Sequence, residues 1–240
     1  MRVLITRPRE DSGALQRALH ERGIETLLDP MLVIRPVEGA EIALDGAQGL
    51  LFTSSNGVRA FGSITGDRGL VAWCVGDETA RTARAAGFSQ VHSAAGNVDR
   101  LAEYVIAHAR PGDGRLIHVA GSVTAGDLAG ALRAAGFAVD RVPLYEAVPA
   151  QSLGEDTLGA FREGLLDAAL FFSPRTAATF VSLLREARLE TCCKTVDACC
   201  LSGAVAALVE ELPWRRIVTA AEPTRAAMLA AVDEARKNTL

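Results

Sequence analysis

Residues 50–61 read LLFTSSNGVRAF: an apolar strand runs into a small, hydroxyl-rich turn and then into the start of a helix. The turn consists of four residues that are all favourable helix N-caps, namely Thr53, Ser54, Ser55 and Asn56. A strand that runs into a helix N-terminus directs unsatisfied backbone N–H groups and the positive end of the helix dipole to one point. The stretch therefore predicts an anion site at the carboxyl end of a strand.

The same arrangement occurs again in residues 168–180, which read AALFFSPRTAATF. Ser173 is a candidate N-cap, Pro174 suits the first helical position, and Arg175 adds a fixed positive charge. Two such turns suggest two half-sites for one large anionic ligand. Either turn alone is also explained as an ordinary cap between a strand and a helix.

The composition of the chain excludes several classes of protein. Its 240 residues suffice for one large or two small globular domains. No apolar run approaches the length of a membrane span, and the amino terminus reads as a short strand rather than a signal core. A formal net charge of −4 argues against general binding of nucleic acid. We therefore expect a cytoplasmic protein with neither a membrane nor a nucleic-acid partner.

Metal and nucleotide sites are not indicated either. The adjacent cysteines at 192–193 and 199–200 lack the C-x-x-C spacing of zinc ligands, so we expect reduced, structural thiols. The four histidines show no metal-ligand spacing, and we expect no metal. No G-x-G-x-x-G follows a first strand, and neither a P-loop nor a G-x-S-x-G elbow occurs. The sequence thus supports no nicotinamide site, no P-loop and no hydrolase nucleophile.

The chain is internally duplicated. Residues 2–36, RVLITRPREDSGALQRALHERGIETLLDPMLVIRP, match residues 115–149, RLIHVAGSVTAGDLAGALRAAGFAVDRVPLYEAVP, at the offset of 113 that separates Arg2 from Arg115. The offset grows to 119 at the pair Phe52 and Phe171, and residues 198–232 follow the layout of 72–106 at an offset of 126. Two long copies exclude a short-period solenoid.

Each copy alternates strands and helices, which predicts a mainly parallel sheet covered on both faces. We therefore expect two similar α/β units. Ligands of such folds bind outside the carboxyl ends of the strands, where all the hydroxyl-rich turns lie. If the two units face each other, both sets of turns line one cleft.

Six segments together carry a resemblance to a known family: VLITRP, LLFTSSNGVRAF, VGDETARTARAAGF, AGDLAGALRAAGFAVDRVPLYEAVP, LFFSPRTAATF and VTAAEPTRAAMLAAV. In their order and spacing the chain resembles the uroporphyrinogen-III synthase family over essentially its full length. The resemblance implies two parallel-sheet α/β domains with exchanged first βα units, joined by a two-stranded linker. It places one domain at 1–34 plus 148–240 and the other at 37–145, with linker strands at about 30–36 and 143–149.

The resemblance also implies an activity. Members of the family dehydrate and cyclise hydroxymethylbilane, a linear tetrapyrrole with eight carboxylates, and invert ring D to give uroporphyrinogen III. This reaction of haem, sirohaem and cobalamin biosynthesis uses no cofactor. The implied partners are the small-molecule substrate and hydroxymethylbilane synthase, which would hand that substrate over, and the implied state is a monomer.

Site residues follow from the resemblance motif by motif. The catalytic candidates are Tyr145 and Thr79. The substrate-binding candidates are Thr6, Arg7, Thr53, Ser54, Ser55, Asn56, Gly76, Gly121, Ser122, Ser173, Arg175 and Ser202. Three positions depart from the family pattern: Val205 replaces a frequent Thr, Asn56 replaces a frequent Arg, and Ala120 begins a turn without the Arg often found there.

Other interpretations remain open at this stage. Tyr145 is also explained as a linker residue that packs against a hinge, and Arg7 as a surface charge. A non-catalytic sensor of a tetrapyrrole or another anionic ligand is built from similar hinged α/β domains, although it would usually carry an added DNA-binding or receiver segment. A two-domain lyase that acts on another polyanion is a further alternative.

Overall fold

The computed structural model describes residues 1–123 and 126–237. The strands are β1 (Arg2–Ile5), β2 (Glu25–Leu28), β3 (Leu32–Pro36), β4 (Ala47–Phe52), β5 (Val71–Cys74), β6 (Val91–Ser93), β7 (Arg115–Gly121), β8 (Val139–Pro149), β9 (Ala168–Phe171), β10 (Asp197–Cys200) and β11 (Arg216–Thr219). The helices are α1 (Arg9–His20), α2 (Ser55–Ile64), α3 (Asp77–Ala85), α4 (Val98–His108), α5 (Leu128–Ala134), α6 (Glu155–Arg162), α7 (Pro174–Glu186), α8 (Gly203–Val209) and α9 (Arg225–Lys237). Short 3₁₀ helices span Pro111–Asp113 and Glu190–Thr195.

The strands form two sheets. One sheet has the order β11-β10-β9-β1-β2, and its strands are parallel. The other has the order β3-β8-β7-β4-β5-β6, parallel from β8 to β6. The chain divides into unit 1 (Met1–Val33 and Val148–Leu240) and unit 2 (Ile34–Ala147). This alternation of strands and helices around parallel sheets confirms the α/β class.

The duplication extends to the register of the strands. Val3 lies opposite Thr26 in the first sheet, and its mate Leu116 lies opposite Val139 in the second, so the same spacing is kept in both copies. Val3 also pairs with Ala168, whereas Leu116 pairs with Gly49. The first strand of each copy therefore pairs with the later strands of the other copy. The predicted exchange of first βα units is confirmed.

The linker consists of β3 and the end of β8, which are neighbours in the second sheet. The amide of Val37 donates to the carbonyl of Leu144, and the amide of Ala150 donates to that of Met31. Residue numbers fall on one strand as they rise on the other, which is the antiparallel pattern. The two copies differ here, because β2 and β3 are separate strands whereas β8 is continuous.

Both sheets are buried on both faces, as the apolar strand sequences predict. In β1, Val3 and Ile5 belong to one hydrophobic cluster of unit 1 and Leu4 belongs to the other. In β4, Phe52 and Leu51 likewise belong to the two separate clusters of unit 2. The helices that cover these faces place their N-termini at the carboxyl edge of each sheet.

The segment between β3 and β4 is irregular. Residues 38–46 contain no helix, and β4 begins at Ala47. The first helix begins at Arg9, with the extended backbone of Pro8 as its N-cap. Within the described residues, no helix combines the length and apolar character needed to cross a membrane.

Candidate active site

The candidate residues collect at the carboxyl edges of the two sheets. The unit 2 edge follows β4, β5 and β7 and includes Thr53, Ser54, Ser55, Asn56, Gly76, Thr79, Gly121, Ser122 and Tyr145. The unit 1 edge follows β1, β9 and β10 and includes Thr6, Arg7, Ser173, Arg175 and Ser202. Within each sheet, neighbouring strands bring these turns together although they are far apart in sequence.

At the centre of the unit 2 edge is a pair of hydroxyl groups. The phenol oxygen of Tyr145 lies 2.7 Å from Oγ of Ser54, and either atom can be the donor. Ser54 is the N-cap of α2, and its Oγ also accepts a hydrogen bond from the amide of Gly57 at 3.2 Å. The first turn of α2 contains no acidic side chain, so the positive end of its dipole is not offset locally. The Tyr145 hydroxyl is thereby held at a helix N-terminus.

The ring of Tyr145 rests on Gly121, its partner in the register of β7 and β8. A Cβ atom on Gly121 would lie 3.1 Å from two carbons of that ring. The amide of Ser122 donates to the carbonyl of Tyr145 at 2.8 Å, and Arg141 donates to the carbonyls of Gly121 and Ser122 at 2.6 and 2.9 Å. The side chain of Tyr145 therefore takes its position from the turn after β7.

His118, which no sequence motif indicates, lies in the middle of β7. Its side chain is 3% exposed, and its Nε2 lies 3.4 Å from Oγ1 of Thr53. Burial, together with the nearby charge of Arg141, lowers the pKa of His118 to about 4, so the ring is neutral at neutral pH. A lone histidine in the apolar run LIHVA belongs to no motif, which is why its spacing gave no signal.

The remaining residues of this edge have mixed roles. Ser55 is buried, and its Oγ accepts a hydrogen bond from the hydroxyl of Thr82 at 3.0 Å, which links α2 to α3. Oδ1 of Asn56 accepts from Arg59 at 2.6 Å. Thr79 lies in the first turn of α3, and its side chain is 5% exposed. These contacts stabilise the turns and leave less side-chain surface for a ligand than the sequence suggested.

Gly76 is the N-cap of α3, and this helix N-terminus differs from that of α2. Its first turn carries Asp77 and Glu78, whose negative charges oppose the binding of an anion. The hydroxyl of Ser93 donates to Asp77 at 2.7 Å. Of the two helix N-termini, that of α2 is the better suited to a carboxylate.

The unit 1 edge presents positive charge in place of the hydroxyl pair. The guanidinium of Arg7 lies 4.8 Å from the centre of the Phe172 ring and 3.9 Å from the carboxylate of Asp11. Ser173 caps α7 in a capping box with Thr176, and Arg175 follows in the first turn, exposed to solvent. Ser202 precedes α8 and makes no side-chain capping bond. Neither α7 nor α8 has an acidic residue in its first turn.

One predicted binding residue does not fit the structure. The side chain of Thr6 is fully buried, and its hydroxyl donates to the carbonyl of Leu170 at 2.7 Å. The Thr6 carbonyl in turn accepts from the amide of Met31 at 2.9 Å. Thr6 therefore joins β1 to β9 and the linker, and it is unavailable to a ligand.

Neither an activated thiol nor a metal-binding cluster is seen in the part of the chain that the structure describes. All five thiols are free, and burial raises the pKa of Cys74, Cys193, Cys199 and Cys200 to about 12 each, so these four stay protonated. Over residues 1–123 and 126–237, no three His, Cys, Asp or Glu side chains are placed to hold a metal ion. Among the candidate residues, the groups suited to an anionic ligand are hydroxyls, backbone amides and arginines.

Comparison with known proteins identifies the family. The model of the family described as uroporphyrinogen-III synthase HemD matches residues 13–230. The chain belongs to the uroporphyrinogen-III synthase family. This confirms the resemblance carried by the six sequence segments.

Two curated relatives and two solved structures of this family are similar to the chain. A porphyrin biosynthesis protein HemD of Ruminiclostridium josui is 23% identical over 240 residues, which cover 90% of this chain and 45% of that protein. The chain thus spans about half the length of that relative. A uroporphyrinogen-III synthase of Chlorobaculum parvum is 28% identical over 202 residues, which cover 78% of this chain and 80% of that protein.

The solved structures show the same fold. The uroporphyrinogen-III synthetase of Helicobacter pylori aligns over 98% of this chain and 99% of its own, with a TM-score of 0.65 and 15% identity. A mutant uroporphyrinogen III synthase of Thermus thermophilus aligns over 99% of both chains, with a TM-score of 0.50 and 17% identity. At such identities the likeness extends to the fold alone.

Proposed function

We propose that this chain is a uroporphyrinogen-III synthase, which dehydrates and cyclises hydroxymethylbilane with inversion of ring D to give uroporphyrinogen III. The observation that carries the proposal is the Tyr145–Ser54 hydroxyl pair at the N-terminus of α2, in a chain of this family. The pair joins a proton donor to a helix N-terminus that attracts carboxylates.

The reaction needs little chemical assistance from side chains. The C–O bond of the terminal hydroxymethyl group breaks as the pyrrole nitrogen releases electron density, and the oxygen leaves as water after taking up a proton. The azafulvene that remains is already electrophilic. The free bilane closes spontaneously to the wrong isomer, so the enzyme must mainly orient its substrate.

We assign the proton donation to the hydroxyl of Tyr145, with Thr79 as a second catalytic residue. General acid catalysis contributes roughly a hundred- to ten-thousand-fold in other enzymes. The low end of this range is expected here, because the pyrrole nitrogen already assists departure. Ser54 supports this assignment, since its 2.7 Å contact limits the rotation of the Tyr145 hydroxyl.

Substrate carboxylates are proposed to bind at both edges. In unit 2 the binding groups are the backbone amides at the start of α2 and the hydroxyl of Thr53, which is partly exposed. In unit 1 they are the amides at the start of α7 together with Arg7 and Arg175. Charged hydrogen bonds of this kind contribute about 1.5–3 kcal/mol each.

Several finer points belong to the same proposal. We infer that the enzyme needs no cofactor, acts as a monomer and receives its substrate by transfer from hydroxymethylbilane synthase. Five free thiols suit a reducing compartment, which supports a cytoplasmic location. The sensor interpretation finds no support in the comparisons, whose printed names are those of synthases and a biosynthesis protein.

Product analysis tests the proposed function. The purified chain, dialysed against a chelator and given enzymatically made hydroxymethylbilane, should yield the type III isomer without any added metal or cofactor. The type I and type III products separate after oxidation. Type I product alone, at the rate seen without protein, would reject the proposal and leave a lyase of another polyanion as the alternative.

A further inference from the structure

The internal repeat provides a residue with which the buried His118 can be compared. At the offset of 113 its mate in the other copy is Ile5, which is fully buried in a hydrophobic cluster of unit 1. The register is conserved: Leu51 lies opposite His118, and Leu170, the mate of Leu51, lies opposite Ile5. An aliphatic residue therefore suits this position of the fold, and packing does not require an imidazole.

The residue that contacts His118 also differs in polarity between the two copies. Thr53, whose Oγ1 lies 3.4 Å from Nε2 of His118, corresponds at the offset of 119 to Phe172. Unit 2 thus has a polar pair where unit 1 has an apolar one. The pair lies beside the Tyr145–Ser54 contact, one residue along the same turn. The needs of the core therefore do not account for these two polar side chains, which lie next to the candidate hydroxyl pair.

The hydrogen bonds of the His118 ring indicate which of its two nitrogens carries the proton. Nδ1 of His118 is buried and, over the part of the chain that the structure describes, makes no hydrogen bond. If Nδ1 carried the proton, a buried N–H donor would lack an acceptor, which is costlier and rarer than an acceptor without a donor. The proton of the neutral ring is therefore on Nε2, which donates to Oγ1 of Thr53.

We propose that His118 is a positioning residue that fixes Thr53 as a hydrogen-bond donor toward the ligand. Because Oγ1 of Thr53 accepts from Nε2, the hydrogen of the Thr53 hydroxyl points away from the ring. Thr53 is partly exposed at the sheet edge, so this hydrogen is available to an anionic group. That the anionic group is a substrate carboxylate rests on the proposed function.

The tautomer is tested without any substrate. The ¹⁵N chemical shifts of the full chain, labelled at histidine, distinguish protonated from bare ring nitrogens at neutral pH. The proposal predicts a protonated Nε2 and a bare Nδ1 for His118. The signals are assigned from their loss in His118→Ile or, if that variant does not fold, by through-bond correlation with the His118 backbone. A protonated Nδ1 would overturn the proposal, because Thr53 would then have to donate to the ring.

Kinetic measurements test whether His118 acts through Thr53. His118→Ile copies the residue of unit 1 and should raise KM for hydroxymethylbilane roughly two- to tenfold, the usual effect of one neutral hydrogen bond. The same change in a Thr53→Val background should have no further effect, since the acceptor is already absent. Equal losses in both backgrounds would show a packing effect and contradict the proposal. A wild-type chain that forms no type III product would reject the proposed function, while the ¹⁵N result still decides the role of His118.

Discussion

Tyr145→Phe removes one oxygen atom and keeps the aromatic ring that rests on Gly121. Type III formation should slow by about a hundredfold or less, because the phenol is the proposed proton donor. The melting temperature should change little, since Ser54 keeps its bond from Gly57. Turnover and thermal unfolding of the variant check this expectation.

The chain supplies a matched control for this variant. Tyr104 is its second tyrosine, and it lies on α4 with its ring stacked 4.1 Å from that of His108. Tyr104→Phe should keep full turnover. Full turnover in Tyr145→Phe as well would make Tyr145 a packing residue and leave bound water or a substrate carboxyl as the proton source.

Thr79→Val is the second prediction at this scale. Val205 is the mate of Thr79 at the offset of 126, and both side chains are buried, so the fold accommodates valine there. If the Thr79 hydroxyl bonds a carboxylate or the leaving oxygen, its loss should cost about 1.5–3 kcal/mol, which is about tenfold or more in rate. The melting temperature of the variant should be nearly unchanged.

A buried threonine elsewhere provides the comparison for Thr79. Thr157 of α6 is 1% exposed, and among the described residues its Oγ1 has no hydrogen-bond partner. Thr157→Val should therefore leave activity intact. If Thr79→Val also keeps wild-type activity, Thr79 has no catalytic role.

The sequence located the turns more reliably than it assigned the side chains within them. Tyr145 is indicated by the resemblance to the family, and its pairing with Leu32 in the repeat marks it as the polar member of an otherwise apolar pair. Thr6 was misassigned because its burial depends on the carbonyl of Leu170, which lies far along the chain. The sequence does not indicate His118 for the same reason, since its partner Thr53 lies 65 residues away, in the turn after another strand.

Among the secondary-structure elements, those with two independent signals were predicted best. The sequence of residues 97–108 combines an Asn with an apolar stripe, and the structure shows the helix Val98–His108 with Asn97 as its N-cap. Residues 38–48 have neither signal, and their turns rely on contacts from elsewhere, such as the bond from Arg115 to the carbonyl of Ala43. Strand register was recoverable because the two copies share it, whereas the break between β2 and β3 has no counterpart in β8.

The amino ends of the unit 1 strands carry a charged network whose central residue is not repeated in the other copy. Asp197 at the start of β10 is fully buried and accepts from Arg215 and Arg216 at 2.8 and 2.6 Å. At the offset of 126 its mate is Val71. Burial alone would raise the pKa of Asp197, but the hydrogen bonds and charges of the two arginines hold it below its usual value.

Asp197→Asn should therefore destabilise the fold and spare catalysis. The arginines left behind are partly exposed and can be solvated, so the loss should be about 1.5–3 kcal/mol. Because the pKa of Asp197 is lowered in the folded state, its ionised form stabilises the protein at neutral pH, and this contribution is lost as pH falls through the folded pKa. When unfolding is measured from neutral to acid pH, the free energy of unfolding should fall less steeply with decreasing pH in the variant than in the wild type. An unchanged stability and pH profile would contradict this role.

At the scale of the whole molecule, the exchange of βα units could not be derived from local sequence patterns. Apolar periodicity identifies strands but does not say which copy supplies the neighbour of β1. Strand order followed from the resemblance to the family, and the pairing of β1 with β9 and of β7 with β4 confirms it.

The chain passes between the two units at two places, after Val33 and after Ala147. We predict a monomer whose units move as hinged bodies, since narrow connections make domain motion the default. Small-angle scattering should require more than one conformation, and the mixture should change when product binds. A single rigid shape that product leaves unaltered would contradict the prediction.

The most direct test of the account is the isomer ratio of the product as a function of chain concentration. Hydroxymethylbilane closes spontaneously to the type I isomer, so the two routes compete in one tube. We expect the type III fraction to rise from the spontaneous value toward completion as wild-type chain is added, and heat-denatured chain to have no effect. A type III fraction that stays at the spontaneous value at every concentration of folded chain would contradict it.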